Sequence, residues 1–138
     1  MRPGVLVVAW LLVFGPPARA EHEVYFRYVV LGYVKDARGA PVAGAHVRLV
    51  RDKTTFSYLA ETDAQGFYVV VARLGDESAG EALTLNVGEV TLRIVARFDA
   101  GNHTDARGTR VDLEGGRFVE RAASFPSTLA RFLEAPAR

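Results

Sequence analysis

The sequence predicts an all-β fold, an antiparallel β-sandwich of seven strands followed by a short C-terminal helix. Short segments rich in β-branched and aromatic residues follow one another after the first twenty residues, with Gly, Asp and Pro turns between them. Helical segments do not alternate with them, as they would in βαβ units. The length of 138 residues fits one domain.

The seven predicted strands are Val24–Val34, Ala45–Arg51, Phe56–Glu61, Phe67–Leu74, Leu83–Val87, Val90–Phe98 and Thr109–Leu113. The first strand is apolar on both faces over much of its length, which predicts burial on both sides or cover by the tail. The sixth alternates, with Leu92 and Ile94 on one face and Arg93 on the other. That alternation predicts a half-buried strand.

A D-A-x-G pattern recurs at Asp36, Asp63 and Asp105. Asp at the first position of a type I turn accepts hydrogen bonds from downstream backbone N–H groups, and Gly supplies a positive φ. Calcium loops are the alternative, but each loop offers one carboxylate where calcium requires six to eight oxygens. The pattern therefore predicts turns.

The first twenty residues have the features of a secretory signal peptide. An apolar run from Gly4 to Phe14 follows Arg2, and Ala18-Arg19-Ala20 matches an A-x-A cleavage site. Cleavage after Ala20 leaves a β-sandwich domain at residues 21–116 and a tail at 117–138, with no stable membrane span. An uncleaved membrane anchor is the competing interpretation.

The composition excludes several classes of function. The chain has 17 Lys and Arg against 16 Asp and Glu, and this balance gives no reason to expect a nucleic-acid partner. It has no cysteine, which excludes a disulfide framework, a thiol nucleophile and a thiolate metal site. Export without disulfides favours a bacterial periplasm or exterior.

The tail is predicted to form a short amphipathic helix with Ser127 as its N-cap. Leu129, Phe132 and Leu133 follow at the i, i+3, i+4 spacing of one apolar face. So short a helix needs a surface to dock on. Either it covers its own sandwich or it inserts into a partner protein.

A metal site is one hypothesis for the polar residues. If the strands simply alternate in direction, His22 comes close to His103, with Asp99 and Asp105 nearby. Two imidazoles and a carboxylate suit zinc or copper. The alternative is a solvated N-terminus beside a polar turn.

Aromatic residues give a second hypothesis. Strand alternation places Tyr25 and Tyr33 on one face, and it directs Phe67 and Tyr68 to opposite faces. Some rings must then point away from a single core, so Tyr25, Tyr33 and Tyr68 are candidate contacts for a sugar or a protein. Trp10 leaves with the signal peptide, and the lack of tryptophan favours a protein contact.

Three segments resemble the carboxypeptidase regulatory-like domain, a transthyretin-like sandwich. They are Gly32–Asp36 (GYVKD), Gly39–Val47 (GAPVAGAHV) and Thr62–Tyr68 (TDAQGFY). The resemblance implies a Greek-key sandwich that serves as an accessory or binding module, without catalysis of its own. After Val71 the similarity fades.

Sequence motifs of enzymes on related sandwiches are missing. There is no G-x-S-x-G, no C-terminal Y-R-G-S as in hydroxyisourate hydrolases, and no two-Tyr, two-His cluster as in intradiol dioxygenases. We therefore expect an exported, non-catalytic accessory or protein-binding module of a bacterial envelope, with an envelope protein as partner and no cofactor. The alternative is a ligand-binding module for carbohydrate, or for a metal at His22 and His103.

Overall fold

The computed structural model of the chain describes residues 24–135. Its eight strands are β1 (Phe26–Lys35), β2 (His46–Arg51), β3 (Phe56–Glu61), β4 (Phe67–Leu74), β5 (Ala82–Val87), β6 (Val90–Val95), β7 (Arg107–Glu114) and β8 (Arg117–Glu120). One helix, α1 (Phe125–Glu134), follows them, and single 3₁₀ turns lie at Asp76–Ser78 and Ala122–Ser124. The predicted signal peptide and His22 lie outside the described residues.

The strands form two four-stranded sheets, which we call sheet one (order β4-β1-β7-β8) and sheet two (order β3-β2-β5-β6). This confirms the all-β sandwich and corrects the prediction of seven strands. The additional strand, β8, lies in the segment predicted as a helical tail and pairs with β7. Gly115 and Gly116 join the two strands with φ values of 57° and 81°. Glycine adopts such values without steric cost.

Sheet one is mixed, which corrects the prediction of a purely antiparallel sandwich. β1 pairs antiparallel with β4 and parallel with β7. Gly32 lies at this contact, where an added Cβ would overlap with the carbonyl oxygen of Val111. The sequence pattern places residues in strands, but it carries no information on which distant strand becomes the neighbour.

β1 is buried on both faces, as its two apolar faces predict. Val30 faces the core between the two sheets, and Leu31 belongs to a second cluster on the outer face of sheet one. Phe125, at the start of α1, is buried in that second cluster. Helix α1 therefore covers the outer face of sheet one in the same chain.

Helix α1 begins three residues earlier than the sequence predicts. Phe125 is its first residue and Ser124 occupies the N-cap position, whereas Ser127 lies inside the helix and donates to the Ser124 carbonyl at 3.2 Å. Pro126 is tolerated because the first-turn N–H groups have no partner within the helix. No helix within residues 24–135 has the length and apolar character needed to span a membrane.

Two of the three predicted turns are confirmed. The Asp36 carboxylate accepts from the N–H groups of Arg38 and Ala40 at 2.9 and 3.0 Å. The Asp63 carboxylate accepts from those of Gln65 and Phe67 at 2.9 and 3.0 Å. At Asp105 the prediction is wrong, because β7 begins at Arg107, within the third copy of the pattern.

Candidate functional site

An exposed cluster of aromatic and arginine side chains lies where an edge strand of sheet one meets an edge strand of sheet two. We call Tyr25, Phe56, Tyr58 and Arg73 the aromatic patch; they border a cavity of about 330 Å³. β3 carries Phe56 and Tyr58, β4 carries Arg73, and both strands are edges of their sheets. Tyr25 joins them from the residue before β1. The patch is therefore assembled from three separate segments.

The geometry of the patch leaves two rings open to solvent. Phe56 and Tyr58 meet edge to face, with centroids 5.0 Å apart. The Arg73 guanidinium lies 5.6 Å from the centre of the Tyr25 ring. The Tyr58 hydroxyl donates to the Arg73 carbonyl at 3.4 Å, across the seam between the sheets. Phe56 is 59% exposed and Tyr25 42% exposed.

A partly buried ion pair lies directly beside the patch. Arg51, which lines the same cavity, donates from Nε and Nη2 to the two Glu81 carboxylate oxygens, each at 2.8 Å. It also donates to Ser78 Oγ at 3.0 Å. These hydrogen bonds hold the pKa of Glu81 below its usual range and raise that of Arg51. The pair thus fixes the Arg51 guanidinium within the wall of the cavity.

The three predicted tyrosine contacts fall in three environments. Tyr25 is exposed in the aromatic patch. Tyr33 is half-buried, with its ring centroid 4.9 Å from that of Phe67 and the Arg110 guanidinium 5.2 Å above it. Tyr68 lies in the core and donates its hydroxyl to the Val111 carbonyl at 2.6 Å, so its ring forms no surface contact. Burial raises the pKa of the Tyr68 hydroxyl.

Tyr68 corrects one assumption of the sequence analysis. Alternation does direct Phe67 and Tyr68 to opposite faces, but both faces of sheet one are covered. Phe67 lies in the cluster under α1, and Tyr68 lies in the core. Neither ring is left for a partner, because the tail helix shields the second face.

Three of the predicted metal ligands, His103, Asp99 and Asp105, lie within the described residues, and each has a different hydrogen-bond partner. His103 Nε2 lies 2.8 Å from an oxygen of Asp76, a residue that the sequence analysis did not select. The carboxylate of Asp99 accepts from the Gly101 N–H, and that of Asp105 from Asn102 Nδ2, each at 2.9 Å.

Residues 24–135 contain no group of three side chains suited to holding a metal ion. His22 lies outside the described residues.

His103 belongs instead to a stack that closes one end of the sandwich. Its ring lies parallel to that of Phe26, with centroids 4.6 Å apart. The Arg107 guanidinium lies 4.8 Å from the Phe26 ring and 4.2 Å from the Phe98 ring. Asp76 accepts from Arg107 Nη2 at 2.9 Å, and hydrogen bonds from His103 and Arg107 lower the pKa of Asp76.

Two of the three apolar residues predicted on one face of the helix pack against sheet one, and the third is exposed. Leu129 and Phe132 pack against the cluster on the outer face of sheet one, with the Phe132 ring 5.5 Å from that of Phe67. Leu133 is 69% exposed. The structure thus shows the helix covering its own sandwich.

No protein-family model matches the chain, and no curated protein matches it either.

Sequence reasoning missed Phe56, Tyr58 and Arg73 as members of one surface. Phe56 and Tyr58 alternate with Ser57 and Leu59, so they share one side of β3. That face is apolar as far as Ala60, but Tyr58 and Ala60 pack against the core while Phe56 stays exposed at the start of an edge strand.

Proposed function

We propose that the chain is an exported, non-catalytic protein-binding β-sandwich module of a bacterial envelope, and that it binds its partner through the aromatic patch. The observation that carries the proposal is the exposure of Phe56 and Tyr25 beside Arg73. Tyr, Phe and Arg are enriched at protein interfaces and supply much of the binding energy there. Export rests on the signal-peptide features of residues 1–20.

The chemistry of the patch favours a partner segment with an apolar side chain next to an acidic one. The cavity of about 330 Å³ between Phe56 and Tyr25 offers space for an apolar side chain. Arg73 forms no ion pair with any acidic residue within residues 24–135. A carboxylate of the partner would pair with this guanidinium.

We further propose that the chain is a carboxypeptidase regulatory-like domain with Greek-key connections. The turns at Asp36 and Asp63 support this, because both lie in the segments that carry the resemblance. Gly66 supports it too: its φ is 77°, and an added Cβ would lie 2.5 Å from the Val34 carbonyl oxygen. The pattern thus requires glycine at this position for a physical reason.

Carbohydrate binding at the same patch is the second candidate. The observation that favours it is the pair of exposed rings, Phe56 and Tyr25, since open aromatic faces stack on sugars. The affinity for a glycan would depend on the two rings, whereas the affinity for a protein partner would depend on Arg73 as well.

Site-specific photo-crosslinking in cells tests the proposal. A benzoylphenylalanine at position 56 is expected to crosslink one defined envelope protein. The same group at position 59 serves as the control, because Leu59 is 75% exposed but lies on the opposite face of β3. The captured protein is then purified and titrated against the chain with and without the Phe56→Ala and Arg73→Gln substitutions.

Each substitution is expected to weaken that complex by about tenfold, which corresponds to about 1.4 kcal/mol. Equal crosslinking from positions 56 and 59 would contradict the proposal. Binding to a glycan array that is lost in Phe56→Ala but retained in Arg73→Gln would favour carbohydrate instead.

A further inference from the structure

A groove separates α1 from part of the sheet that it covers. We call it the helix groove; its volume is about 380 Å³. Val29, Val69 and Val71 line it from the outer face of sheet one, and Leu129, Phe132 and Leu133 line it from α1. Ligand pockets in proteins are mostly apolar and have volumes of about 300–1,000 Å³. The helix groove is thus of the size and lining of a small-molecule site.

An arginine of the groove lies directly opposite an arginine of the aromatic patch. Arg27 of β1 lines the groove and pairs in register with Arg73 of β4, which borders the patch. Both side chains are exposed. Directly opposed like charges destabilise a sheet, and their Cβ atoms are about 5 Å apart. An anion bound between the two guanidinium groups would therefore offset this repulsion.

Neither arginine pairs with a carboxylate of residues 24–135. Asp105 is the acidic residue that lines the groove, but its carboxylate accepts from Asn102 Nδ2 and does not pair with Arg27. Among the described residues, Arg27 thus lines the groove without a carboxylate partner, and the neighbouring Arg73, whose guanidinium lies over the Tyr25 ring, has none either.

We propose that the helix groove binds a single-chain aliphatic carboxylate. Its hydrocarbon chain lies between the valines of sheet one and the apolar residues of α1. Its carboxylate lies at the groove end and accepts charge-assisted hydrogen bonds from Arg27 and Arg73, for which a planar guanidinium is well suited. The groove volume equals about a dozen water-sized volumes, which suits a chain of about ten carbons.

The test is a calorimetric titration with decanoate, kept below the concentration at which it forms micelles. It uses the protein as the cell produces it, with its N-terminus established by mass spectrometry. We expect saturable one-to-one binding, with amide shifts in nuclear magnetic resonance spectra centred on Val29, Val69 and Val71. Decanol and decyltrimethylammonium, which share the chain but lack the carboxylate, are expected to bind at least tenfold more weakly.

Charge variants assign the binding to the arginine pair. Arg27→Gln and Arg73→Gln are each expected to weaken decanoate binding by about tenfold. Arg48→Gln is the matched control, an exposed arginine on the outer face of sheet two. Asp105→Asn removes the acidic residue of the groove and is expected to strengthen binding. Phe56→Ala tests the aromatic patch alone and should leave decanoate binding unchanged.

Several results would overturn the inference. These are no saturable binding of decanoate, equal binding of decanol, or unchanged affinity in both Arg27→Gln and Arg73→Gln. Binding to anionic lipid vesicles without binding of monomeric decanoate would overturn it in favour of a membrane surface. Failure here would leave the proposed protein-binding function standing, because Phe56 lies outside the groove.

Discussion

Asp112 illustrates how one buried side chain connects the sheet to the helix. Its side chain is 1% exposed, on the outer face of sheet one. The carboxylate accepts from the Tyr33 N–H at 2.9 Å, from Arg110 Nε at 3.1 Å and from Arg121. Arg110 also donates to Thr128 Oγ1 at 3.0 Å, which ties the same network to α1. A buried carboxylate needs such a full set of donors.

Asp112→Ala is expected to lower the free energy of unfolding by about 3–5 kcal/mol, because it leaves two partly buried guanidinium groups without their shared carboxylate. Urea denaturation followed by circular dichroism measures the change. Glu89→Ala, at an exposed turn, is the control and should stay within about 0.5 kcal/mol of the parent. A loss below about 1 kcal/mol in Asp112→Ala would show that the network contributes little to stability.

At the scale of elements, α1 depends on sheet one for its stability. A helix of 10 residues is marginal by itself in water. Phe125 anchors its first turn in the cluster with Val29 and Leu31. Gly108 of β7 provides the space, because an added Cβ would lie 2.7 Å from the Phe125 ring. The residues that hold the helix are therefore distinct from the exposed Leu133 at its end.

Phe125→Ala is expected to destabilise the protein by about 3–5 kcal/mol, since it opens a cavity under the first turn of α1. Leu133→Ala should change stability by no more than about 0.5 kcal/mol, because this side chain is exposed. Thermal unfolding measures both variants, and hydrogen exchange of the α1 amides reports the helix itself. Unchanged protection of α1 in Phe125→Ala would contradict the anchoring role.

At the scale of the whole molecule, ion pairs connect loops at the sandwich ends to the sheets. Asp76 joins the 3₁₀ turn at Asp76–Ser78 to His103 and to Arg107 of β7. Glu81 joins the start of β5 to Arg51 of β2. The pKa of each carboxyl group is lowered in the folded state by these hydrogen bonds.

Acid is therefore expected to destabilise the fold. A carboxyl group with a lowered native pKa stabilises the protein above its unfolded-state pKa of about 4, and this contribution is lost as the pH falls through the native value. Urea denaturation between about pH 6 and pH 2 should show this decline. In the Asp76→Asn, Glu81→Gln double variant the dependence on pH should be shallower. An equally steep decline in that variant would assign the acid sensitivity to other groups.

Much of the fold could be predicted because its signals are local. The apolar faces of β1, the turns at Asp36 and Asp63, and the i, i+3, i+4 spacing around Leu129 each depend on residues close in the chain. β8 was missed because Arg117–Glu120 is too short to show alternation. The prediction of a third turn is wrong because β7 begins inside the D-A-x-G pattern at Asp105.

The candidate site was less predictable because it depends on contacts between distant residues. Tyr25 was selected, but its neighbours Phe56 and Arg73 reach it only because β3 and β4 are adjacent sheet edges. His103 was expected near His22, with Asp99 and Asp105 nearby; His22 lies outside the described residues, and His103 meets Asp76 from another loop. The turn that carries His103 does lie at the end of the sandwich where β1 begins, because β1 and β7 run parallel and His103 stacks on Phe26.

The sequence by itself determined that this protein is a β-sandwich with an amphipathic tail helix and Asp–Gly turns, because periodicity and turn chemistry act between neighbours in the chain. Only the tertiary structure decided that Arg27 faces Arg73, that Tyr68 is buried, and that the tail helix covers sheet one. Strand pairing brings residues separated by tens of positions together, and no local pattern records which strand becomes the neighbour.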